Sequence, residues 1–180
     1  MRLLSCRSDT GETLGIAEAD RWLPAVTILA DGPRTIADLL AAGPGGMAAL
    51  RDAVPGARIA TNGRLLADAE LLAPVPRPGK VVAIGRNYRE HAEEEGVEPP
   101  PAPLIFAKWP SSVVGHGAEI RWDAALTGQV DYEAELAVVI GRTARRVAAA
   151  HALECVLGYT CLNDVSARDL QFGDGQWTRG

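Results

Sequence analysis

Three prolines in five residues, Pro74, Pro76 and Pro78, constrain this chain more than any other feature. Each fixes its own φ and pushes the residue before it toward extended backbone, so no helix or central strand is expected to run through residues 73–79. Such a segment reads as a semi-rigid joint. It divides the 180 residues into a small N-terminal part, residues 1–73, a joint at 74–79, and a longer part, residues 80–180. In the first part, residues 1–6 and 13–17 read as short strands around the turn residues Ser8-Asp9-Thr10-Gly11. Residues 35–41 and 47–54 read as helices, separated by Gly43-Pro44-Gly45-Gly46, where proline and glycine both oppose a helix. This part has no histidine and no dense carboxylate pattern, and it is expected to be a small α+β accessory domain.

Composition narrows the function classes. The chain is 47% hydrophobic and 23% charged, ordinary for a globular protein, and its net charge of −5 argues against a nucleic-acid partner. No run approaches the roughly eighteen apolar residues of a membrane span, so no membrane partner is expected. The start of the chain turns at once to charge and turn residues, without the apolar core of a secretory signal. Cys6, Cys155 and Cys161 make no paired framework, which suits reduced thiols in a cytoplasm. Cys155 and Cys161 sit in apolar runs and are expected to pack in a core.

In the longer part, residues 80–85, 104–108, 130–141 and 158–162 read as strands, and residues 88–95 and 148–157 as helices. Strands outnumber helices, and Gly/Pro-rich connections replace regular helical crossovers, so the fold class is expected to be α+β and mainly β. Residues 130–141 are the strongest strand. Alternation places Tyr132, Ala134, Leu136 and Val138 on one face and Asp131, Glu133 and Glu135 on the other. Three acids in a row repel one another unless the face meets solvent or a cation. Asp164 follows the apolar run 156–162, as if delivered to the same place. Oxygen donors of this kind suit Mg²⁺, Mn²⁺ or Ca²⁺ rather than Zn²⁺, and a solvated acidic face remains the alternative.

Residues 85–96 hold His91, one of three histidines. On a helix His91 and Glu94 share a face, and a carboxylate beside an imidazole raises its basicity. A solvated acidic helix with an incidental histidine is the plainer reading of that segment alone.

In order along the chain, these segments resemble the fumarylacetoacetate hydrolase family. Gly85-x-Asn87-Tyr88-x-x-His91 resembles its G-x-N-Y-x-x-H motif, and Pro103-Leu104-Ile105-Phe106-Ala107-Lys108 its P-x-x-F-x-K strand. Asp131-Tyr132-Glu133-Ala134-Glu135-Leu136-Ala137-Val138-Val139-Ile140-Gly141 is similar to its D-Y-E-x-E-L-x-V-V-I-G signature. Gly158-Tyr159 with Asn163-Asp164-Val165-Ser166-Ala167-Arg168-Asp169-Leu170-Gln171 is similar to its G-Y-x-x-x-N-D-x-S-A-R-D-x-Q block. The resemblance implies a mixed β-sandwich roll, here incomplete, usually homodimeric, with Mg²⁺ or Mn²⁺ bound. Residue by residue it implies metal ligation by Glu133, Glu135 and Asp164, with Asp131 outside the ligand set. His91 would be the general base with Glu94 orienting it, and Arg168, Gln171 and Lys108 would line the substrate pocket. The implied reaction is metal-dependent hydrolysis of a C–C bond in an acylpyruvate or 1,3-diketo acid. Decarboxylation, isomerisation or sugar-acid dehydration on the same site is the second expectation, and a non-catalytic metal-binding or dimerisation fragment the third. The family pattern continues through a lysine-bearing segment after the last matched block, so the chain reads as the N-terminal portion of a longer protein.

Overall fold

The computed structural model describes residues 1–94 and 96–180. In chain order it forms β1 (Arg2–Ser8), β2 (Gly11–Glu18), β3 (Arg21–Pro24), the helical turn α1 (Ala25–Ile28), the helix α2 (Ile36–Ala57), the turn α3 (Ile59–Asn62) and β4 (Arg64–Leu65). There follow β5 (Val81–Gly85), α4 (Arg89–Glu94), β6 (Leu104–Lys108), β7 (Val130–Asp131), β8 (Ala134–Ile140), β9 (Val156–Asn163), β10 (Ser166–Ala167) and α5 (Arg168–Asp174). The fold is α+β with strands predominating. Glu95, the expected last residue of α4, lies outside the described residues. Among the described residues no helix is long and apolar enough to cross a membrane.

By contact the chain resolves into two units: residues 1–76 with 114–118 and 135–162, and residues 77–113 with 119–134 and 163–180. In the first, β1 to β4 form an antiparallel sheet in sequential order. The expected two strands are joined by β3, where Trp22 is buried. Gly15 lets that indole lie flat on β2, since a Cβ there would come within 2.8 Å of the Trp22 ring. Leu14 and Ile16 meet Leu39, Leu50 and Val54 of α2 in the core.

A reciprocal cap starts α2. The Asp38 N–H donates to Thr35 Oγ1 (3.1 Å), and the Thr35 N–H donates to Asp38 Oδ2 (2.9 Å). The expected interruption at 43–46 narrows to one residue. Gly43 alone is non-helical (φ 61°, ψ −153°), and helix resumes at Pro44, whose fixed φ suits a first turn. That backbone region is essentially restricted to glycine, so Gly43→Ala is expected to destabilise the chain by about 1–3 kcal/mol, read as a lower urea midpoint. An unchanged midpoint would mean the kink is absent in solution.

β8 and β9 pair in the same unit. Along β8, half-buried Glu135, Ala137 and Val139 alternate with exposed Leu136, Val138 and Ile140. One apolar face of residues 136–140 therefore meets solvent. Residues 149–155 form a 3₁₀ turn rather than the expected α-helix over 148–157. Ala148 supplies no side-chain cap, and the Cys155 carbonyl accepts from Gly141 N (2.8 Å), which commits it outside a helical ladder. Cys155 is buried as expected, but Cys161 is exposed. Its place in an apolar run says nothing about which face of β9 it occupies. Burial pushes the Cys6 thiol up to about 11.

In the second unit β5 and β6 pair antiparallel from Val81↔Lys108 to Gly85↔Leu104. A Cβ on Gly85 would come within 2.3 Å of the Trp177 ring, a physical reason for glycine at the head of its motif. Trp177 meets Phe106 edge-on with centroids 5.4 Å apart, and the Arg86 guanidinium lies 5.5 Å from the Trp177 ring centroid. β7 pairs antiparallel with β10, Ser166 opposite Asp131 and Ala167 opposite Val130.

Candidate metal and substrate site

The strand expected over residues 130–141 is broken at Tyr132 and Glu133, between β7 and β8. Side chains replace ladder partners there. The Tyr132 N–H donates to Asp131 Oδ1 (2.9 Å), and the Glu133 N–H donates to Asn163 Oδ1 (3.0 Å). The Asp164 N–H then donates to the Glu133 carbonyl (2.9 Å), so Glu133 and Asp164 share adjoining backbone. This is what the asparagine of N-D does beside the acids of D-Y-E.

Each of these two acids meets a basic side chain. Lys108, at the end of β6, places Nζ 2.9 Å from Asp164 Oδ1, and Arg168 Nη1 contacts Glu133 Oε1. The four side chains are 10–18% exposed. Lys108 also donates to the Gly180 carbonyl (3.3 Å).

Arg168 opens α5, immediately after β10, and its backbone N–H donates to the Gln129 carbonyl (2.8 Å). Its Nε and Nη2 both donate to Asp131 Oδ2, at 3.0 and 2.9 Å, while Nη1 donates to Gln171 Oε1 at 2.9 Å. Gln171, on the same short helix, is buried. Burial opposes the Arg168 charge, but bonds to Asp131 and Glu133 carry its pKa above the ordinary guanidinium value. Reciprocally, the Arg168 hydrogen bond, then the Tyr132 N–H, hold the Asp131 carboxyl below the usual carboxylate range. His91, half-buried on α4, adds a weaker pull on the same carboxyl. Glu94 is exposed one helical turn further on.

The sequence reading gave Asp131 no task, and the structure makes it the carboxylate that anchors Arg168. The signal was an unexplained third acid in a motif whose partner block contains an arginine. A second lock also went unread. Asp169 accepts from Thr127 Oγ1 (2.5 Å) and from the Gly128 N–H (3.2 Å), and the Thr127 bond leads the causes that hold its carboxyl below the usual range. Glu135 is half-buried on β8 in the first unit.

The donor chemistry, carboxylate oxygens carried next to each other on the backbone, fits a hard divalent cation. Yet among the described residues no three His, Cys, Asp or Glu side chains converge closely enough to hold an ion. Lys108 and Arg168 take the positions of counter-charge instead.

Known proteins agree with these blocks. An oxaloacetate tautomerase of Bacillus subtilis (strain 168) is 47% identical over 109 residues, covering 59% of this chain and 36% of that protein. The chain spans less than half the length of the curated relatives it matches first. Its backbone resembles the crystal structure of a 5-carboxymethyl-2-hydroxymuconate delta-isomerase from Mycobacterium smegmatis (TM-score 0.67, 33% identity, 99% of this chain and 60% of that one). It also resembles maleylpyruvate hydrolase from Sphingobium sp. SYK-6 in complex with manganese(II) and pyruvate (TM-score 0.68, 30% identity, 93% of this chain and 60% of that one). Residues 80–180 match the sequence model described as fumarylacetoacetate (FAA) hydrolase C-terminal, and with more than half its length inside that match the chain belongs to the fumarylacetoacetate hydrolase family.

Proposed function

We propose that this chain carries the metal-binding part of an enzyme acting on 2-oxo acids, with hydrolysis of a C–C bond in an acylpyruvate or 1,3-diketo acid as the leading reaction. The observation that carries this reading is the pairing of Glu133 with Asp164 on adjoining backbone, with Arg168 and Lys108 against them. Glu133 and Asp164 would hold the divalent cation, Mg²⁺ or Mn²⁺, and the D-Y-E-x-E motif alone implies Glu135 as a further ligand. The manganese and pyruvate in the related hydrolase support both the cation and the 2-oxo acid. A bound cation supplies Lewis acidity, lowering the cost of negative charge on the substrate carbonyl oxygens.

The chain's own residues do the rest. Arg168, aimed by Asp131 and Gln171, offers planar N–H donors suited to a substrate carboxylate. Lys108 supplies a compact second positive charge. His91, with Glu94 one turn away, would take a proton from the water that attacks the carbonyl remote from the carboxylate, and return it to the departing carbon.

Tautomerisation or isomerisation is the second reading, favoured by the tautomerase and isomerase likenesses. It needs the same grip on the 2-oxo acid and a proton moved between carbon and oxygen, with no water consumed. Incubation of the full-length protein with Mn²⁺ and a panel of acylpyruvates and enol-oxaloacetate separates the two. Loss of the diketone absorbance with release of pyruvate is the expected result. Enol–keto exchange without cleavage would replace hydrolysis by the second reading, and no turnover of any member would sink both.

A further inference from the structure

The basic side chains on the acids are unusual for this chain. It contains eighteen lysines and arginines, and only two of them, Lys80 and Lys108, are lysines. Lys80 is exposed, whereas the Lys108 side chain is 15% exposed and paired with Asp164, which is itself buried. Sheltered ion pairs roughly break even against their desolvation, so a lysine and an arginine on two neighbouring carboxylates are poorly explained by stability alone. Nor are the two bases held alike. Arg168 makes two bonds to Asp131 besides its contact with Glu133. Lys108 has Asp164 as its ion-pair partner, one longer bond to a carbonyl, and the Phe106 ring with its centroid 6.0 Å from the ammonium.

We infer that Lys108 and Arg168 are resident counter-cations, and that a divalent cation enters by exchanging with them on Asp164 and Glu133. This rests on the metal reading proposed above. In the exchange Lys108 leaves Asp164, while Arg168 releases Glu133 and stays tethered to Asp131 and Gln171. With Asp131, Glu133, Asp164 and the proposed ligand Glu135 counted against Lys108 and Arg168, the formal net charge is −2 before the exchange and 0 after it, the ion included. An anionic 2-oxo acid is repelled by the first state and no longer by the second, so metal precedes substrate, and the two freed bases then face the incoming carboxylate.

Amine acylation of the full-length protein, read peptide by peptide by mass spectrometry, tests the exchange without any assay of turnover. Lys80 is the internal standard. Without metal, Lys108 should react far more slowly than Lys80, and Mn²⁺ alone should raise its rate several-fold while leaving Lys80 unchanged. Lys108→Met should bind Mn²⁺ about tenfold more tightly, since a competing cation is gone. The labelling experiment needs no variant, so it stands if Lys108→Met fails to fold. Unchanged Lys108 labelling on a chain that binds Mn²⁺ overturns the exchange and leaves the metal site intact. Mn²⁺ binding that survives both Glu133→Gln and Asp164→Asn, or no binding by the wild type, overturns the metal site and the exchange with it.

Discussion

Asp164→Asn is expected to abolish the rise in melting temperature that Mn²⁺ gives the chain and to cut metal-dependent turnover by more than about a hundredfold. A ligand that binds only the folded state stabilises it by about 2.7 kcal/mol at a hundred times its Kd, and that increment disappears when binding does. Asparagine keeps the shape of the side chain but offers one neutral acceptor where a hard cation wants a charged oxygen. Lost orienting partners of a metal already cost about 10–100-fold, and a lost ligand should cost more. The variant should also be less stable without metal. Asp164 is buried with Lys108 at 2.9 Å, and removing one charge from such a pair costs up to about 3–5 kcal/mol. Glu133→Gln should repeat the loss of the metal shift. Asp131→Asn should keep it, because Asp131 holds Arg168 instead. Wild-type stabilisation by Mn²⁺ in Asp164→Asn would remove that residue from the ligand set.

The second large effect belongs to the N-terminal core. Leu50→Ala should cost about 2–5 kcal/mol, the sum of lost burial and an incompletely filled cavity. Leu50 is fully buried on α2, in a cluster with Leu14, Ile16 and Leu39. Alanine is the better helix former, so the loss cannot come from the helix itself. For a chain of this size the cost should lower the melting temperature by about 2–4 °C per kcal/mol. Leu65→Ala, at a position 42% exposed, is the control and should shift it little. Equal effects at the two sites would mean that α2 does not pack on the sheet as described.

Much of this was legible because it is local. Periodicity found β1, β2, β5, β6 and most of α2, where pattern and packing agree. The four motif blocks picked out the acids, Arg168 and Lys108, since residue type and spacing are written in the sequence itself. What stayed hidden was pairwise. Nothing in Val130–Asp131 or Asn163 alone says that an asparagine side chain will replace a ladder partner at Glu133 and end the strand there. The 3₁₀ turn before β9 was unreadable for the same reason, because it ends on a bond from Gly141, eight residues ahead of the turn's first residue. Alternation along β8 was correct in phase, but which face meets solvent depends on neighbours that periodicity does not name.

The unequal burial of the three thiols gives the molecule one chemical address. A thiol reagent acts on the thiolate, and at neutral pH Cys6, sealed in the core with its pKa near 11, presents almost none. Cys155 is buried as the last residue of the 3₁₀ turn, while Cys161 stands exposed on β9, three residues before Asp164. A maleimide fluorophore or spin label therefore attaches at a single position close in sequence to the acids. The native chain can report on that strand spectroscopically without any cysteine being engineered in or out.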